Sequence, residues 1–108
     1  MGKASRDKGA RGERAAADLF RKHEFDTTRI GEWKENDLIV DFFGDKKIVE
    51  VKVRARGCGS SLIYEALQHG FAVMHKADRH PFLITFDADE FCEFVRWVYR
   101  EGCKDNED

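Results

Sequence analysis

Asp37, Glu50 and Lys52 are two carboxylates and an ammonium carried on two adjacent apolar segments. A hard divalent cation takes oxygen ligands and keeps several waters, so one or two carboxylates plus a substrate phosphate make a sufficient Mg²⁺ site. A lysine beside them can steer or deprotonate an attacking water, or stabilise negative charge as it builds on the phosphate. The chemistry these types point to is metal-dependent hydrolysis of a phosphodiester. A solvated hairpin face can also carry Asp, Glu and Lys in mutual ion pairs, so the elements that position the three matter as much as their identity.

Residues 37–43 read Asp-Leu-Ile-Val-Asp-Phe-Phe and residues 46–53 read Lys-Lys-Ile-Val-Glu-Val-Lys-Val, with Gly44-Asp45 between them as a two-residue turn signal. That turn pairs Phe43 with Lys46. Counting outward sets Asp41 opposite Ile48, Ile39 opposite Glu50 and Asp37 opposite Lys52. Leu38, Val40, Phe42, Val49, Val51 and Val53 then form a wholly apolar face that must be core, while Asp37, Glu50 and Lys52 share the other. Opposed side chains lie about 5 Å apart at Cβ and diagonal ones about 7–8 Å, so one divalent ion can bridge the two carboxylates.

Upstream, Lys8-Gly9-Ala10-Arg11-Gly12-Glu13-Arg14 leads into Ala15-Ala16-Ala17-Asp18-Leu19-Phe20, followed by Phe25 to Ile30 and the hairpin. Here the chain resembles the Holliday-junction resolvases of archaea and phages, in the PD-(D/E)XK nuclease superfamily. Their pattern is a basic Gly-containing segment, Glu-Arg on the first helix, an arginine ending the first strand, an Asp, and then Glu-x-Lys. The resemblance implies Asp37 and Glu50 as metal ligands with the Val51 backbone carbonyl, Lys52 as the motif lysine, and Glu13 as an additional acidic residue of the catalytic set. It implies Arg14 and Arg29 as phosphate contacts, and Mg²⁺ as cofactor with Mn²⁺ able to substitute. It covers the chain from about Lys8 to Lys52; beyond Arg56 only the order of elements agrees. The loop Gly31-Glu32-Trp33-Lys34-Glu35-Asn36 departs from the pattern, with a bulky Trp33 and two acids where relatives carry small and basic residues. Asn36 stands where the motif has proline.

A net charge of −2 is not the basic balance expected of a nucleic-acid binder, but its distribution is uneven. Residues 3–14 hold Lys3, Arg6, Lys8, Arg11 and Arg14 against Asp7 and Glu13. Residues 46–56 hold Lys46, Lys47, Lys52, Arg54 and Arg56 against Glu50. Acids gather at Asp87, Asp89, Glu90 and Glu93 and in the tail from Glu101 to Asp108. Phosphate contacts depend on the local field more than on the total. The expected nucleic-acid contacts are Lys8, Arg11, Lys34, Arg54 and Arg56, with Arg14 and Arg29 as the resemblance implies.

The 108 residues suit one domain, with nine Phe available for its core. The expected order is helix, strand, strand, strand, helix, strand, strand, helix: an α/β fold with a mixed central sheet flanked by helices, like the restriction endonucleases. A flexible basic arm, Met1 to Lys8, precedes a helix from about Arg11 to His23 that buries Ala15, Ala16, Leu19 and Phe20. Phe25 to Ile30 is strand-like. Ser60 or Ser61 caps a helix to about His69. Phe71–His75 and Phe82–Phe86 are strands around a polar turn, and a last helix starts near Asp87 or Asp89 with Phe91, Phe94, Val95 and Val98 at helical spacing. Residues 103–108 are an acidic disordered tail.

Cys58, Cys92 and Cys103 are an odd number at no metal-ligand spacing. With no signal-like start, they indicate structural thiols in a reducing cytoplasm, that of a prokaryote or a phage-infected cell. No apolar run approaches the length of a membrane span. His23, His69, His75 and His80 share no zinc spacing and receive no role. Gln68 and Tyr64 can reach the site edge, but helix-face polarity explains them equally well. Trp97 and Tyr99 cannot both join the apolar face of the last helix, leaving an aromatic surface for a homodimer to cover.

The expected activity is a structure-selective DNA endonuclease that resolves four-way junctions by paired Mg²⁺-dependent hydrolysis. It acts as a homodimer on branched DNA, recognised by shape, with no small-molecule substrate. The alternatives are a nicking, restriction-like or exonucleolytic enzyme of the same superfamily, or a catalytically silent nucleic-acid-binding module.

Overall fold

The computed structural model describes residues 2–30 and 37–102, with side chains described from 9 to 30 and from 38 to 101. Helix α1 (Gly2–Lys22) is followed by β1 (Thr27–Arg29), β2 (Asp37–Phe42), β3 (Asp45–Arg54), α2 (Ser60–Leu67), β4 (Ala72–Ala77), β5 (Leu83–Phe86) and α3 (Ala88–Trp97). A π-helical turn, Val98–Gly102, continues α3. The strands form one five-stranded mixed sheet in the order β1-β2-β3-β4-β5. All neighbours are antiparallel except β3 and β4, which run parallel because α2 crosses between them. This is the α/β architecture and element order that the sequence pattern predicts.

Helix α1 differs from expectation at its start, since the helical backbone begins at Gly2 in place of a flexible arm. Lys3, Ala4, Arg6 and Lys8 are good helix formers, and no proline interrupts them. Its buried stripe is Gly12, Glu13, Ala16, Ala17 and Phe20, whereas Ala15 is exposed. Glu13, Ala16, Ala17 and Phe20 fall at i, i+3, i+4 and i+7, so a stripe sought from apolar residues alone is rotated off the true one.

Gly12 marks the closest approach of α1 to the sheet: a Cβ there would lie 2.5 Å from Val53 Cγ2. Alanine in place of a mid-helix glycine ordinarily gains about 1 kcal/mol. Here overpacking costs about 1–3 kcal/mol and wins. Gly12→Ala is expected to lower the urea midpoint, and Val53→Ala in the same chain to recover part of the loss; a midpoint raised by Gly12→Ala alone would contradict this packing.

The β2–β3 register is shifted from expectation. Phe42 pairs with Asp45, Ile39 with Ile48 and Asp37 with Glu50, so the two turn residues are Phe43 and Gly44. Both have positive φ, 57° and 92°. That is the type I′ combination, which places glycine second, as in Asn-Gly turns. The Gly44 N–H donates to Asp41 Oδ1 at 2.7 Å, which closes the turn. A two-residue shift preserves strand faces, so Leu38, Val40, Phe42, Val49, Val51 and Val53 are all buried together as expected.

That face packs against α1 and an aromatic cluster. Phe42 meets Phe20, Phe25 and Phe94 edge-on at ring distances of 6.0, 5.2 and 5.4 Å. Phe71 and Phe86 complete the cluster. Asp87 caps α3 by accepting from the Asp89 and Glu90 N–H groups. By contrast, α2 is capped by Gly59 without a side-chain bond, and Ser60 already lies inside the helix. Phe94 is the residue by which α3 enters the cluster, and Trp97 stacks on it at 6.1 Å. Phe91, Val95 and Tyr99 stay 45%, 47% and 77% exposed, so Tyr99 is the aromatic left over.

Candidate metal and phosphate site

The sheet has two ends. At the hairpin end lie the Phe43-Gly44 turn and the start of α3, which follows Phe86 opposite Ala72. At the other end β1 finishes with Arg29, β2 begins with Asp37, and the parallel pair β3 and β4 run out at Arg54 and Ala77. The candidate chemistry is gathered at this second end.

Strand alternation turns Val49, Val51 and Val53 toward α1 and Glu50 and Lys52 to the opposite face. Glu50 is only 2% exposed, and its Oε1 stands 3.9 Å from Lys52 Nζ. A carboxylate buried this deeply requires a cation, whether an ammonium or a metal. The observed register places Asp37 directly opposite Glu50 in place of Lys52, so the two acidic positions are closer than a Gly44-Asp45 turn would set them. The strand backbone of Asp37 is described and its side chain is not. Among the described residues no three His, Cys, Asp or Glu side chains converge on a cation position.

Gly70, at the entry to β4, bounds Glu50 from the other side. A Cβ at Gly70 would lie 3.2 Å from Glu50 Cγ and 3.1 Å from Ile48 O. A side chain there would press tightly on the Glu50 stem and the Ile48 carbonyl. The parallel ladder then sets Val73 beside Glu50 and His75 beside Lys52. His75 Nε2 shares a hydrogen bond of 2.7 Å with Thr85 Oγ1 on β5. Burial pushes the His75 pKa below its usual value, which keeps the ring neutral near pH 7. Glu50, Lys52, His75 and Thr85 therefore form a polar row across three strands on one face. His75 and Thr85 escaped the sequence reading because only the β3–β4 pairing aligns them with the motif.

Glu13 is buried at 6% exposure and pairs with Arg29, whose Nε donates to Oε1 at 2.5 Å. Arg29 is level with Leu38, on the α1 side of the sheet. The structure thus joins Glu13 to Arg29 on one side and Glu50 to Lys52 on the other, at the same end. Arg11 and Arg14 are exposed on α1, and Arg54 and Arg56 are exposed where β3 ends. Val51 is the first residue of β3 past its last described pairing with β2. Lys8 sits on the α1 backbone with its side chain outside the described set, and Lys34 and Trp33 lie outside the described residues.

Cys58 Sγ approaches Lys52 O at 3.8 Å, and burial pushes its thiol pKa up, which suits a structural thiol. Cys92 is exposed. Two clefts open near the sheet outside Glu50 and Lys52. One, about 660 Å³, is lined by Lys47, His69, Phe71, Glu93 and Trp97; the other, about 720 Å³, by Tyr64, Gln68, Thr85 and Glu90. Gln68 and Tyr64 face these clefts, and Thr85 alone connects the second to the row. Among the described residues no helix is long and apolar enough to cross a membrane. Comparison of the chain with protein-family models, with curated proteins and with solved structures returned no match.

Proposed function

We propose that the protein is a metal-dependent nuclease acting on branched DNA, a four-way junction endonuclease in the manner of the PD-(D/E)XK resolvases it resembles. The observation that carries this reading is Glu50: a nearly fully buried carboxylate beside Lys52, with Asp37 directly across the ladder, at the sheet end where exposed arginines collect. Opposed carboxylates are unfavourable in a strand pair unless a cation lies between them. Two hard oxygen donor types at paired strand positions suit Mg²⁺, with Mn²⁺ as a substitute.

Asp37 and Glu50, with the Val51 carbonyl, would hold the ion. When bound, it supplies charge neutralisation and a water of lowered pKa for attack in line with the departing 3′ oxygen. Lys52, which is 11% exposed in its side chain, places an ammonium where negative charge builds on the phosphate. Arg14 and Arg29 hold neighbouring phosphates, and Glu13 fixes the Arg29 guanidinium. Symmetric nicks need two such sites related by a twofold axis, and Phe91, Val95 and Tyr99 on the outer side of α3 offer a surface for a homodimer.

The test is cleavage of a labelled four-way junction beside linear duplex and single strand of the same sequence, in Mg²⁺ or EDTA, with wild type and Asp37→Asn. Paired nicks confined to the junction, dependent on Mg²⁺ and lost in the variant, are the expected result. Equal cleavage of linear DNA indicates another nuclease of this superfamily. Binding by both forms with no cleavage by either indicates a silent nucleic-acid-binding module.

A further inference from the structure

The turn between β4 and β5 belongs to the same end of the sheet, although nothing in its sequence connects it to the motif. Parallel pairing brings Arg54 level with Ala77, and the Asp78 N–H donates to Ala55 O at 3.2 Å, tying the turn after β4 to the turn after β3. This union places Arg79 and His80 in the turn next to Arg54 and Arg56, with Asp78 as the acid of the turn, while Lys76, half-buried at the end of β4, is level with Val53 on the α1 side of the sheet. Arg54, Arg56, Arg79 and His80 are exposed. Lys76 Nζ lies 5.5 Å from the centre of the Phe82 ring, which holds its stem along the turn. Arg79 has φ 66°, a left-handed conformation uncommon outside glycine and asparagine. Meanwhile Asp45, Asp87, Asp89 and Glu90 lie at the hairpin end. Lys46 and Lys47 share that hairpin end, where Lys47 pairs with Asp45 at 3.2 Å, whereas the turn after β4 carries Arg79 and His80 against Asp78 alone.

We propose that the β4–β5 turn, through Lys76 and Arg79, is a second phosphate-gripping element for a nucleic-acid backbone, and this rests on the nuclease reading of Glu50 and Lys52. Val73 is level with Glu50, and from Val73 to Ala77 the strand advances about 13 Å at roughly 3.3 Å per residue. The turn therefore grips the same backbone within a few nucleotides of the phosphate at Glu50. The ligand is a polyanion of regular spacing. Direction and register come from this grip, with no reading of bases.

The test is fluorescence anisotropy of a labelled four-way junction in EDTA across a salt series. It compares wild type, Lys76→Gln/Arg79→Gln, and a control of equal charge change, Lys22→Gln/Arg96→Gln, from the last turns of α1 and α3. The turn variant is expected to bind more weakly and to lower the slope of log affinity against log salt by about 1–2, while the control keeps the wild-type slope. Each lost contact removes about a fourfold dependence between 50 and 200 mM salt. Equal slopes for the two variants overturn the grip and leave the nuclease reading standing. A wild type that binds no nucleic acid overturns both.

Discussion

Glu50→Gln is expected to remove divalent-dependent cleavage, a loss on the order of 10²- to 10³-fold or more, while leaving the metal-free protein at least as stable as the wild type. Glutamine keeps the shape of the side chain and deletes its charge. In the wild type without metal, Glu50 is opposed by Asp37 across the ladder, and Lys52 at 3.9 Å is beyond hydrogen-bond distance of it. Removing one of two formal negative charges at directly paired strand positions then offsets the loss of the Lys52 attraction. An ion pair built only for structure behaves in the opposite way, because removing one partner of a buried pair costs about 3–5 kcal/mol. Thermal unfolding with and without Mg²⁺ separates the two cases. A bound ion raises the wild-type Tm by mass action and leaves the variant unmoved. A variant Tm several degrees below wild type, with neither protein responding to Mg²⁺, would make Glu50 a structural counter-charge and sink the metal site.

The largest effect on stability is expected at Phe42. It is 7% exposed and touches the rings of Phe20, Phe25, Phe71 and Phe94, so it joins α1, the β1 approach, the β4 entry and α3 at one point. Phe42→Ala deletes the ring and leaves a cavity, at a cost of about 3–5 kcal/mol. Against a total of about 5–15 kcal/mol for an ordinary domain, that is a large share. Urea denaturation should show the midpoint falling accordingly, with Tyr99→Ala, at 77% exposure, as the comparison that stays within about 0.5 kcal/mol. A loss below about 1 kcal/mol at Phe42 would mean that the cluster relaxes around the gap and is not the core that positions the site.

The two experiments bear on one another. Glu50 and Lys52 are held by a strand whose other face is Val49, Val51 and Val53, packed against α1 at Gly12. Loosening the aromatic cluster shifts that strand, and a displacement of about 1 Å at a catalytic group can cost about 10²-fold in rate. Phe42→Leu, which refills part of the volume, is the variant to use when activity and folding must be compared in one protein.

Alternation of apolar and polar residues through 37–43 and 46–53 was enough to establish a hairpin, its core face, and the placing of Glu50 and Lys52 on the opposite face. All three survive because a period of two is local and is unaffected by a two-residue register shift. The order of helices and strands was legible for the same reason. The partner of Asp37 was not, since it depends on which two residues of Phe-Phe-Gly-Asp adopt positive φ, and the observed turn uses Phe43, a residue that carries no such signal. The buried stripe of α1 was misplaced because it includes Glu13, which is tolerated only through Arg29 on a strand sixteen residues away. His75, Thr85, Gly70 and the Lys76–Arg79 turn could be related to the motif only by the parallel β3–β4 pairing, a contact made through the α2 crossover and written in no short stretch of chain. Local periodicity therefore determined the motif and the face it occupies. The register, the neighbours of Glu50 and the joining of the turn after β4 to the turn after β3 were decided by long-range pairing in the tertiary structure.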